Sequence, residues 1–312
     1  MAEPRKHEKY AALLRACHGL PPVRTAVAHP CDEISLSAVV AAAHAKLIVP
    51  LLIGPASRIR ALAASLHLEL TGLQLVDVPH SHAAAEKAVA LVRAGDAEGL
   101  MKGSLHTDEL LAEVVRKDTG LCTERRISHV FIMDVPTYHK PLFITDGAVN
   151  IFPSLEDKVD IVQNAVRLAH ALGIALPKVA ILSALETITS KLPSTIDAAA
   201  LCKMAERGQI TGAILDGPLA LDNAISRDAA AVKHINSAVA GDADILIVPD
   251  LESGNMLAKE LSFLANADAA GIVLGARVPI ILTSRADSVR AHLASCAVAV
   301  LYVHHTGLLR AG

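Results

Sequence analysis

The sequence predicts an α/β protein of mostly parallel sheets, and three observations carry that expectation. Short β-branched runs alternate with longer Ala- and Leu-rich stretches along all 312 residues. Hydrophobic residues make up 52% of the chain while aromatics are 2% and Trp is absent, so the cores are aliphatic, which suits helices laid on parallel strands. Polar and turn residues also collect just after the predicted strands, where open parallel sheets bind ligands. A chain of this length is expected to divide into two domains.

In chain order, residues 25–28 predict a strand. The apolar stretch 34–53, broken by His44, Lys46 and Pro50, predicts a helix and then a strand over 48–53. A strand over 75–78 precedes an amphipathic helix over 81–94, and Leu100 and Met101 form a short strand leading to Lys102-Gly103-Ser104. Strands over 129–133 and 142–145 come before a helix over 155–172. Next come a strand over 179–182, a helix over 196–207, strands over 212–215 and 245–248, and a helix over 255–267. Strands over 271–274 and 280–282 and a helix over 289–301 complete the pattern, which predicts right-handed crossovers. After these strands stand His29-Pro30, Gly54-Pro55, Asp134, Asp146-Gly147, Asp216-Gly217-Pro218, Pro249-Asp250 and Ser284-Arg285. They are the rim of an active site or simply turn chemistry, since Gly, Pro and Asp make turns for reasons of their own.

Charge narrows the function classes. Lys and Arg number 29 against 32 Asp and Glu, and no basic stripe exceeds the Arg125-Arg126 pair. A surface tracking nucleic-acid phosphates is therefore not expected, whereas a small phosphorylated ligand held by a few cations remains open. The N-terminal segment carries Arg5, Lys6, Lys9 and Arg15 among its apolar residues, so neither a signal peptide nor a membrane span is read. Cys17, Cys31, Cys122, Cys202 and Cys296 are scattered with no C-x-x-C pair, which fits reduced thiols in a cytoplasm. His80-Ser81-His82 and His304-His305 lack a carboxylate or thiolate at ligand spacing, so no protein-held metal is expected.

Three segments could carry chemistry. In 279–295 a strand ends at Thr283 and a helix begins near Val289; Asp287 and Ser288 are suited to cap it, and Ser284 and Arg285 occupy the turn. Helix-start amides beside a guanidinium make an anion site, although a capped helix with an exposed Arg reads equally well. In 99–111, Lys102, Ser104, His106 and Thr107 follow a strand, with Thr107 or Asp108 opening a helix; the P-loop spacing is missing, yet a lysine with hydroxyls can hold phosphate. In 214–226, Asp216, Asp222 and Asn223 follow a strand and are acid/base partners, metal ligands or simply turn and cap residues.

These segments, with VAGDADILIVPDLESGN, ITDGAVNIFPSLEDKVDIVQNAV and PIILTSRADS, resemble the phosphate acetyl/butyryltransferase family over nearly the whole chain. The LTSRADS and LALDNAIS forms look closer to the butyryl branch, and to the acetyltransferase-like module that some bacteria fuse behind an enoyl-CoA hydratase. The resemblance implies an isocitrate/isopropylmalate-dehydrogenase-like fold. One domain would comprise residues 1–140 with 276–312, the other residues 141–275, with the active site in the cleft between them. It further implies a homodimer, coenzyme A as a substrate rather than a tightly bound cofactor, and direct acyl transfer in a ternary complex. By the same resemblance Ser284 supports the oxyanion or thiol and Arg285 binds phosphate. Lys102, Ser104, His106 and Thr107, with Asp216 and Asn223, are taken to line the substrate site from their positions. The family's acetyl-type base falls at Ala291, so Asp287 becomes the candidate base, with Asp216 and His106 in reserve. Two alternatives share the fold: a metal-dependent NAD(P) dehydrogenase, for which neither an Asp cluster nor a nucleotide loop is found, and a non-catalytic relative.

Overall fold

Each run that predicts a strand is found as one, with helices between them, in a computed structural model that describes residues 8–284 and 287–307. The chain falls into two compact units: a flanking unit of Tyr10–Arg125 with the residues from Ala270 onward, and an inserted unit of Arg126–Ala269 joined by Glu8 and Lys9. The first stretch runs α1 (Glu8–Ala16), β1 (Val23–Ala28), α2 (Glu33–His44), β2 (Ile48–Gly54), α3 (Ala56–Ser65), β3 (Gln74–Asp77), α4 (Ser81–Arg93), β4 (Gly99–Lys102) and α5 (Thr107–Val114). The insertion contributes β5 (Ser128–Asp134), β6 (Leu142–Thr145), α6 (Leu155–Ala171), β7 (Lys178–Leu182), α7 (Pro193–Glu206), β8 (Ile214–Leu219), α8 (Leu221–Ile225), α9 (Arg227–Val232), β9 (Ile245–Ile247) and α10 (Leu251–Phe263). The return stretch adds β10 (Asp268–Leu274), β11 (Ile280–Ile281) and α11 (Val289–Thr306).

Strands of the flanking unit lie in the order β3-β2-β1-β4-β11-β10, all parallel except β10, which runs antiparallel to β11. From β1 the chain steps outward to β3 and then returns to the other side of β1 as β4. That reversal is the switch point at which open α/β sheets place their ligands. Register pairs Ala28 with Lys102, and Met101 with Ile281, so the carboxyl ends of β1, β4 and β11 open on one edge. Continuous aliphatic strands suit a sheet covered on both faces: β4 is buried throughout, Leu100 and Met101 completely. Asp32 caps α2, its carboxylate accepting from Ser35 N at 2.7 Å. The last helix, α11, is apolar on nearly all sides, as befits a helix inside a core; it packs on α2 and β11 and is buried almost without break from Ala291 to Val303.

In the inserted unit the order is β5-β6-β9-β7-β8, with β5 and β6 an antiparallel pair and the rest parallel. The unit begins at Arg126 because β5 hydrogen bonds to β6, so the strand ahead of residue 141 goes with the one after it. Its core includes Met133, Leu142, Ile144, Ala180, Leu219, Leu246 and Val248. Capping boxes open α6, between Ser154 and Asp157, and α10, between Asp250 and Ser253; in each, two orphan amide donors are satisfied reciprocally. In a charge cluster of this unit the Asp242 carboxylate meets Lys178 Nζ at 2.6 Å and Lys140 Nζ at 3.2 Å. Burial works to raise that carboxyl, but hydrogen bonds from Lys178 and Lys140 hold it far below its ordinary range.

One expectation is corrected. Asp216, Gly217 and Pro218 do not follow a strand ending at 215 but lie inside β8, which starts at Ile214. Gly212 has a left-handed backbone (φ 83°) and belongs to the preceding turn. Pro218 is tolerated because β8 is an edge strand paired only with β7, and the pairing shifts register between Ala180 and Leu182 opposite it. At Asp146, by contrast, turn chemistry explains the residue: its buried carboxylate accepts from the amides of Ala148, Val149 and Asn150.

Candidate active site

Two strand ends and a helix start of the flanking unit converge on one small recess. Lys102 and Gly103 leave β4, Thr283 and Ser284 leave β11, and Asp32, Ile34 and Ser35 start α2; His292 of α11 completes the lining. The recess is small, with room for about one water-sized group.

Gly103 lets β4 turn tightly against β1. A Cβ there would stand 2.5 Å from both the Ala28 and His29 carbonyl oxygens, so no larger residue fits. The amides of Gly103 and Ser104 donate to those two carbonyls at 2.9 Å each. Lys102 is 4% exposed, and its ammonium donates to Gly103 O at 3.1 Å and Leu105 O at 3.3 Å. The cation is thus folded into its own turn at the floor of the recess.

Ser104 clasps the end of β1. Its hydroxyl donates to His29 O at 2.8 Å and accepts from Cys31 N at 3.3 Å. His29 Nδ1 lies 3.0 Å from the same oxygen. The single hydroxyl proton is committed to the carbonyl, so the ring nitrogen is the donor. Burial, seconded by the Arg58 guanidinium, pushes the His29 pKa below 6.5, against the smaller pull of Glu109 and Asp32. His29 is therefore neutral at pH 7 with Nδ1 protonated. His106 caps α5 by its backbone alone and is exposed, and Thr107 is the first residue of that helix.

The turn after β11 is tied by its own side chains. Ser284 N donates to Asp287 Oδ2 at 2.7 Å, and Asp287 N donates to Ser284 O at 3.1 Å. Ser288, not Asp287, caps α11, its hydroxyl accepting from Ala291 N at 3.3 Å. Arg285 lies outside the described residues. Behind the turn, His292 Nδ1 lies 3.0 Å from Ser288 O and Nε2 lies 2.8 Å from Thr283 Oγ1.

Of the expected site residues, then, the fold brings Lys102 and Ser284 to the recess, sets Ser104 directly behind it, and uses Asp287 to close its turn. Asp216 and Asn223 belong to the inserted unit and have separate partners: Asp216 Oδ1 accepts from Gly217 N at 2.8 Å, while the fully buried Asn223 donates to Glu186. Among the described residues no group of three His, Cys, Asp or Glu could hold a metal ion, and no helix is long and apolar enough to cross a membrane.

Residues 81–300 match the family model described as phosphate acetyl/butaryl transferase. The chain is 64% identical to a phosphate acetyltransferase of Rhizobium meliloti, covering 96% of this chain and 95% of that one. The chain belongs to this transferase family. It is also 40% identical to a phosphate butyryltransferase of Clostridium beijerinckii, over 94% of this chain and 97% of the relative. Among solved structures it is similar to a branched-chain phosphotransacylase from Enterococcus faecalis V583, with TM-score 0.77 and 31% identity over 91% of this chain and 99% of that one. Sequence reasoning passed over two histidines, His292 in the lining of the recess and His29 hydrogen bonded to Ser104. His29 was visible only as a residue after a strand. His292 gave no signal in the sequence beyond being a histidine in an otherwise apolar helix.

Proposed function

We propose that the chain exchanges a short acyl group between coenzyme A and inorganic phosphate, acyl-CoA + phosphate = acyl phosphate + CoA, directly and without an acyl-enzyme. The observation that carries this reading is the convergence of Lys102 and Ser284 on one recess at the switch point of a parallel sheet, beside the capped start of α2. Phosphate and the oxyanion of the tetrahedral intermediate both need donors and positive charge placed in advance. Lys102 supplies a fixed cation, Ser284 a hydroxyl, and Arg285 a planar donor set matched to two phosphate oxygens. Acetyl is the preferred group, on the strength of the 64% identical acetyltransferase, with butyryl second.

Purified protein mixed with acetyl-CoA and phosphate should release free CoA thiol at a rate that depends on phosphate. A series of acyl-CoAs from acetyl to hexanoyl sets the chain-length preference. Absence of phosphate-dependent thiol release across that series rejects the reading.

The same reading includes a cytoplasmic homodimer. Support comes from Ile151, Phe152, Met256, Phe263 and Leu264, all exposed on or beside α10 of the inserted unit, more apolar surface than a solitary unit needs. Light scattering on the purified protein should give twice the chain mass; a monomer at micromolar concentration sinks this part.

A further inference from the structure

We infer that Thr283 and His292 form the proton relay for the CoA thiol. The inference rests on the acyl-transfer reading above. A carbonyl oxygen can only accept, so the contact between His292 Nδ1 and Ser288 O puts the ring proton on Nδ1. In the neutral ring Nε2 then carries the lone pair and accepts the Thr283 hydroxyl at 2.8 Å. Both side chains are almost fully buried, and both line the recess together with Lys102 and Ser284. This is the arrangement of a hydroxyl poised to hand its proton to a base whose tautomer is fixed by a third group.

Charged groups near the ring among the described residues have partners of their own. Asp32 is spent capping α2, Asp287 holds the Ser284 amide, and Lys102 is a cation in the floor. Arg290, on the same helix, stacks over Tyr10 at 5.8 Å.

The step balances. The thiol proton passes to Thr283 Oγ1 while the Thr283 proton passes to His292 Nε2, leaving an imidazolium braced by Ser288 O. The sulfur forms its bond to the acyl carbon, and the bond from that carbon to the phosphate oxygen breaks. The imidazolium returns its proton by the same route to the departing phosphate, which leaves as hydrogen phosphate. Thr283 is the catalytic residue that meets the sulfur, and His292 acts through it.

Two substitutions at Thr283 separate hydroxyl from shape. Thr283→Val should lower kcat for thiol release by about 10²-fold, the usual worth of a positioned proton transfer, while Thr283→Ser stays within about threefold. His292→Gln should lose about 10²-fold near neutral pH in the direction that consumes CoA, with most of the loss recovered near pH 9, where a thiol ionises unaided. Thr283→Val at full rate, or a His292→Gln loss that is the same factor at every pH, overturns the relay. Melting temperatures show which variants fold; if His292→Gln does not, the Thr283 pair alone decides. Wild-type protein that releases no thiol rejects acyl transfer instead.

Discussion

The Ser104 hydroxyl and the His29 main-chain carbonyl are 2.8 Å apart, and the His29 ring donates back to the same hydroxyl at 3.0 Å. Two strands that meet at the switch point are thus joined by side chain as well as by ladder. Ser104→Ala removes the hydroxyl and strands the His29 ring donor. It should cost roughly 1–3 kcal/mol, read as a lower denaturant midpoint at unchanged m-value.

The same clasp makes stability pH-dependent. Burial holds the folded His29 below its ordinary 6.5, so the unfolded chain binds the proton first. Stability is complete above pH 6.5 and is lost as pH falls from there through the folded value. A His29→Asn variant should lack this decline between neutral and mildly acidic pH, whereas an unchanged slope excludes His29 as its source.

Gly103→Ala places a methyl 2.5 Å from two carbonyl oxygens of the backbone, which cannot swing away. Loss of about 2 kcal/mol or more is expected. Because the clash displaces Lys102 and Ser104 together, activity should fall in the variant even at temperatures where it remains folded.

Asp287→Asn tests two roles at once. Asparagine still offers an oxygen to Ser284 N, so the turn survives. With the Thr283–His292 relay supplying the base, thiol release should stay within about fivefold of wild type, whereas loss of a true base costs about 10²-fold or more. Steady-state rates at neutral pH decide it.

Asp242→Asn leaves Lys178 and Lys140 without their shared carboxylate. A loss of about 1–3 kcal/mol is expected at neutral pH. Since the folded carboxyl titrates below its ordinary 3.8, this stabilisation is present above that pH and disappears as acid protonates the native state. Acid melts of wild type and variant should therefore converge at low pH.

Much of the fold was legible because aliphatic runs and alternating helices are local signals. The amphipathic pattern predicts a helix over 196–207, yet α7 starts at Pro193, because the fixed φ of a proline suits the first helical position. Strand β8 was cut short at Asp216 for a related reason: Gly and Pro read as turn, and only the edge position of the strand permits them. In the site, Lys102 and Ser284 were legible as a cation and a hydroxyl after strands. His292 was not, because its meaning lies in two hydrogen bonds, one to Thr283 and one to Ser288, and a helix-borne histidine in an apolar run looks like core filling. The partition of Asp216 and Asn223 into other hydrogen-bond networks was equally hidden, since spacing in sequence carries no information about partners across a sheet.

Strand β11 contributes only two residues to its sheet, yet it seats Ile280 beside Leu100, some 180 positions earlier in the chain. During synthesis, half of the recess waits for the whole inserted unit to emerge before the other half arrives. Such distant closure favours late, slow completion of the recess, so a nascent or truncated chain ending short of residue 280 would have most of its strands in place and the recess unfinished.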